Sequence, residues 1–154
     1  MGATAKRPRA GETAPLYDRD FVLWTEEMAR LLRERRFDDL DVENLAEEIE
    51  SMGKRDRREV ENRVEVLLMH LIKWKIQPGR RTGSWRATIS VQRGRLDKVV
   101  RDSPSLGRVL DSVLPQAYKA AREHALEETG MRMDLPKTCP FTIEQVLDAR
   151  FLPD

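Results

Sequence analysis

The chain has 154 residues, 36% of them charged, a formal net charge of +1 and a mean hydropathy of −0.62. That is the size and composition of one globular domain with a core of its own and a heavily solvated surface. The single cysteine, Cys139, excludes an internal disulfide. No apolar run reaches the roughly 18–20 residues of a membrane-spanning helix, so the expected setting is the cytoplasm, without a membrane partner. A pI near 7.9 supplies no basic footprint of the kind nucleic-acid binders carry.

Residues 1–16 hold Lys6, Arg7 and Arg9 with Gly2, Pro8, Gly11 and Pro15 but no apolar stretch. They read as a disordered tail rather than a secretory signal, leaving 17–153 as a single domain. Phe21, Trp24, Met28, Leu31 and Leu32 fall at three- and four-residue spacings, one stripe of a first helix, with Asp18 as its N-cap. Val42, Leu45, Ile49 and Met52 stripe a second helix, which Gly53 is placed to end. Asp56 to Glu59 has capping-box spacing and opens a third helix whose apolar residues Val60, Val64, Leu67, Leu68 and Leu71 mark the core. Val66, Met69 and Ile72 fall on its other faces. A helix apolar nearly all round is buried, so 56–77 is the expected centre. Gln77-Pro78 stops it.

Trp85, Ile89, Leu96, Val99 and Val100 mark a fourth helix. Pro104 follows Ser103 as the first turn of a fifth, which Pro115 is expected to kink or divide and Gly130 to end. Thr142 to Gln145 is a second capping box, opening a short last helix to about Arg150. No stretch alternates as a strand would. The expected fold is all-α, a single-domain up-down bundle of five or six helices around a buried central one.

Several groups of residues taken together carry a likeness: Tyr17-Asp18 with Asp20-Phe21 and Leu23-Trp24; Glu43-Asn44-Leu45 with Glu47 through Gly53; His70-Leu71 with Lys73-Trp74; Gln77-Pro78, Arg81 and Ser84-Trp85-Arg86; Gln92-Arg93; Asp102 through Leu106; and Cys139 through Thr142 with Glu144-Gln145. With them the chain resembles, from about Tyr17 to Pro153, a bacterial family known as a domain of unknown function, number twenty-nine. The resemblance implies an all-helical domain. It carries over no activity, cofactor or site residue.

The charge is strongly polarised. Asp38 to Glu50 holds seven acids and no base, while Lys73 to Arg101 holds nine bases against Asp97 alone. Glu43, Glu47 and Glu50 fall in one helical sector, away from the apolar stripe. They form either a solvated face or a three-carboxylate set for Mg²⁺. Glu48 sits at the margin of the stripe and is expected to pair with Arg86 or Arg93. His70 lies within the apolar run as a hydrogen-bonded core histidine, or as a general base in a dry pocket. Arg80, Arg81, Arg86 and Arg93 are the candidate binding residues, interleaved with Trp74 and Trp85 as a phosphate or single-strand site would be.

The expected function is a helical interaction or regulatory module, with a protein partner favoured over nucleic acid and no cofactor. The alternative is a Mg²⁺-dependent phosphohydrolase or nuclease using the Glu47 and Glu50 carboxylates and the Arg80–Arg86 loop, with Glu48 and His70 as further candidate catalytic residues. A non-catalytic nucleic-acid binder stands third.

Overall fold

A computed structural model describes residues 14–154. Regular structure among them is helical throughout: six α-helices, three 3₁₀ turns and no strand. Residues 1–13 of the expected tail lie outside the described residues, and Leu16 already opens a helix. The chain forms two compact units, one ending at Met52 and one over Gly53–Asp154.

In the first unit, α1 (Leu16–Arg19) and α2 (Phe21–Arg33) precede a 3₁₀ turn at Phe37–Asp39. The start of α3 (Val42–Ile76) follows. Asp20, not Asp18, caps α2, accepting from the Leu23 amide at 3.0 Å. Asp18 is spent inside α1, because the chain turns at Asp20 before the long stripe begins. Trp24, Met28 and Leu31 are the buried stripe of α2, packed against Leu16, Tyr17, Leu40 and Leu45. Arg35 ends α2 in the left-handed conformation (φ 58°). The Arg36 amide donates to Leu31 O at 3.0 Å and the Arg35 amide to Leu32 O at 3.2 Å, the paired bonds that close a helix on a residue usually glycine.

α3 runs through Gly53 without a break, so two expected helices are one and Asp56 is not a cap. Gly53 keeps a negative φ, unlike Gly130. A glycine inside a helix costs only about 1 kcal/mol relative to alanine. The flanking Glu47, Glu48, Met52, Lys54 and Arg55 are good helix formers, and proline is absent until Pro78.

In the second unit the rest of α3 supplies the centre. Val60, Val64, Leu67, Leu68 and Leu71 are wholly buried. Around them pack α4 (Gly83–Asp102), α5 (Gly107–Thr129) and the short α6 (Ile143–Leu147). Thr82 caps α4. Thr142 and Gln145 form the expected capping box, and Gly130 closes α5 at φ 65°. α5 does not divide at Pro115. Pro115 and Asp111, the residue whose carbonyl it leaves without a helical donor, both face water. The buried stripe Val113, Ala117, Tyr118 and Ala121 lies on the other side. Within the described residues no helix is long and apolar enough to cross a membrane.

Candidate functional site

The acidic start of α3 belongs to the first unit. Glu47 and Glu50 are exposed there, beside exposed Glu43. Glu48 is half-buried and accepts a 2.6 Å hydrogen bond from the Tyr17 hydroxyl. This corrects the expected pairing of Glu48 with Arg86 or Arg93: α1 delivers a phenol to the carboxylate from 31 residues away. Tyr17 OH is pushed up to about 12, first by its bond to Glu48 and then by burial and the charge of Glu48. Asp41 secures the helix start, accepting from Trp24 Nε1 at 3.1 Å and from Asn44 Nδ2 at 2.7 Å. Among the described residues no three His, Cys, Asp or Glu side chains are grouped to hold a metal ion.

The Val42/Leu45/Ile49/Met52 stripe does not go wholly into a core. Leu45 packs on Trp24, Met28 and Leu31, whereas Val42, Ile49 and Met52 are 62%, 66% and 57% exposed. Phe21, Val22, Leu23, Leu32 and Phe37 are exposed as well. Together these are eight of the ten exposed large apolar side chains among the described residues, and all lie in 21–52. Scattered single exposures are ordinary, but a concentration in one short segment marks a surface with a use.

His70, in the second unit, is half-buried on α3. Its Nδ1 lies 2.9 Å from Val66 O. A carbonyl only accepts, so Nδ1 carries the proton and Nε2 is the unprotonated nitrogen. Burial holds His70 below its ordinary value, with the Lys73 charge acting the same way, against the Val66 carbonyl and Glu128. One turn on, Lys73 is buried, its Nζ 2.6 Å from Glu128 and 4.8 Å from the Trp85 ring centre. Glu128 is held below the usual carboxylate range by that bond.

The candidate arginines divide by role. Arg93 is buried and donates to Val146 O and Phe151 O, each at 2.8 Å. Burial lowers its pKa; a guanidinium stays charged nonetheless. Arg81 donates to Trp74 O at 2.9 Å and Pro153 O at 3.3 Å, with its guanidinium 5.2 Å from the Trp74 ring centre. Arg86 lies over the same ring at 5.6 Å. Arg80 is exposed in the 3₁₀ turn Pro78–Arg80. Trp74 is in the core and Trp85 half-buried against it, so neither ring stands out as a stacking platform.

Arg93 and Arg81 thus join α4 and the turn before it to the segment beyond α6. Sequence reasoning missed this use of the two arginines, and it missed the burial of Lys73 and the partner of Glu48. The signal available for Lys73 was its place one turn past Met69 on a helix apolar on several faces.

The family model described as Domain of unknown function DUF29 matches residues 16–152. The chain belongs to that family. No curated protein and no solved structure matches it. The DUF29 match begins at the first residue of α1 and ends just short of Pro153, whose carbonyl Arg81 holds. The match therefore extends across both compact units.

Proposed function

We propose that this DUF29 protein is a protein-interaction module whose contact surface is the outward face of residues 21–52. The observation that carries this is the exposure of Val42, Ile49 and Met52 at helical spacing on α3, where an amphipathic helix would ordinarily bury them. Glu43 and Glu47 stand exposed on another sector of the same helix, turned away from that stripe. The complementary partner is an amphipathic helical segment with an apolar stripe and a basic rim, docking helix to helix. Lysine or arginine side chains reaching round α3 would meet Glu43 and Glu47.

The test is a nitrogen-15 NMR titration with a helical peptide carrying leucines at i, i+3 and i+7 between lysines. Shifts confined to amides of 21–52, abolished by Ile49→Asp with Met52→Asp, are the expected result. The same variants should leave thermal stability nearly unchanged, within about 0.5 kcal/mol, because both side chains are exposed. The reading fails if the peptide moves no amide of 21–52 or if the double variant still binds. It fails equally if sedimentation shows that wild-type chains bury this face against one another and the variant does not.

A further inference from the structure

The second unit carries a hollow that the interaction surface does not use. About 710 Å³ lies between Gly53–Arg57 of α3 and the start of α5, lined by Lys54, Arg57 and Arg108 with the hydroxyls of Ser103, Ser105 and Ser112. Arg57 and Arg108 against the single carboxylate of Asp56 leave the lining positive. Arg57 and Arg108 come from helices 51 positions apart in sequence, and both are exposed. Neither guanidinium has a side-chain partner among the described residues, whereas several other cations of the second unit are held by their own helices. Arg63 bonds Glu59, Lys98 bonds Asp102 and Arg101 bonds Asp97.

We infer that this hollow is a binding site for a small phosphorylated molecule, its phosphate gripped between Arg57 and Arg108. A guanidinium presents a planar fork of donors that matches phosphate oxygens, and two forks meeting across one hollow can take two edges of one anion. Ser112 spends its proton on Val109 O at 2.8 Å, so Ser103 and Ser105 are the hydroxyl donors. Neither Ser103 nor Leu106, the residues preceding the 3₁₀ turn and α5, caps its helix with a side chain.

The volume falls in the range of about 300–1,000 Å³ typical of small-ligand sites. A nucleic-acid track would need unpaired cations continuing along the surface. Lys98 and Arg101 on α4 are paired, and Arg55 and Arg58 line a different hollow together with Glu59, so Arg57 and Arg108 are the two guanidinium groups of this one, which favours a compact anion.

The test is calorimetric titration of the full chain at about 150 mM salt, where long-range charge effects are screened beyond about 8 Å. Pyrophosphate and ADP are the probes, sodium sulfate the control. Saturable binding of pyrophosphate or ADP is expected, at least tenfold tighter than sulfate. Arg57→Gln and Arg108→Gln should each weaken it tenfold or more, and Arg101→Gln should leave it unchanged. Arg57→Lys should fall between, retaining charge and losing the fork. Circular-dichroism melts matching wild type show that the variants fold. Absence of saturable heat with either probe at millimolar concentration overturns the inference, as does binding that both glutamine variants retain. Affinity for oligonucleotides that rises with their length and exceeds that for ADP overturns it in favour of a strand-binding surface.

Discussion

The Tyr17 hydroxyl and the Glu48 carboxylate stand 2.6 Å apart, tying the first short helix to the start of α3. The bond requires a protonated phenol. Ionised Tyr17 would place a second negative charge beside Glu48, which is why the phenol titrates near 12 rather than at its ordinary 10.

Ultraviolet titration should therefore find Tyr17 ionising about two units above a free tyrosine. In Glu48→Gln it should return towards 10, and Tyr118→Phe removes the other tyrosine signal. The folded value lies above the unfolded one. The contribution of Tyr17 to stability is thus fully present below pH 10 and is lost as pH rises through 12. An unchanged Tyr17 titration in Glu48→Gln would show that the bond does not set it.

His70 acts at the other end of the pH scale. Its folded value lies below the ordinary 6.5 because burial disfavours the imidazolium. The unfolded chain then takes up the proton first, so the contribution is present above pH 6.5 and lost as pH falls below it. The shifted carboxylates, Glu27, Asp102, Glu128 and Glu144, are all lowered and titrate below this window. Urea melts at pH 7.5 and 5.5 in a His124→Gln background should show wild-type His70 losing stability on acidification. His70→Gln should lose less.

Leu68→Ala tests the centre of the second unit. Leu68 is wholly buried among Val64, Leu67 and Leu71. Removing its branched end leaves a cavity and should lower the unfolding free energy by about 2–5 kcal/mol, read from denaturant melts. A loss below about 1 kcal/mol would mean that neighbouring side chains collapse into the space.

Arg35 offers a gain. A side chain in the left-handed region carries a penalty of about 1–2 kcal/mol that glycine escapes. Arg35 donates to no side-chain acceptor among the described residues. Arg35→Gly should raise stability by about 1 kcal/mol, measured in thermal and urea melts. A decrease would show that the arginine stem packs more strongly than the backbone strains.

The helices and several of their ends could be read directly from the residues. Gln77-Pro78 stops α3, Gly130 takes the left-handed closing position, and Thr142 with Gln145 caps α6. These signals are local, contained within four residues, and depend little on what packs nearby. Gly53 misled because a glycine closes a helix only where the chain also turns, and nothing after it demands a turn. The apolar stripe of Val42, Ile49 and Met52 misled for a different reason. Periodicity says that a helix has two faces, but it does not say whether the apolar one is covered within the same chain. The partners of Glu48 and Arg93 were beyond reach because both contacts join residues more than 30 positions apart.

Arg93 imposes an order on synthesis. Its buried guanidinium is satisfied by carbonyls at 146 and 151, and Arg81 waits for the carbonyl at 153. While a ribosome is still adding those residues, α4 exists with a cation that has no dry place to go, because burying it unpaired would cost several kcal/mol. The first unit ends at Met52 and is synthesised long before. A nascent chain stalled at residue 140 should accordingly stay cleavable by protease between Gly53 and Asp102, so the second unit locks only as its final segment emerges.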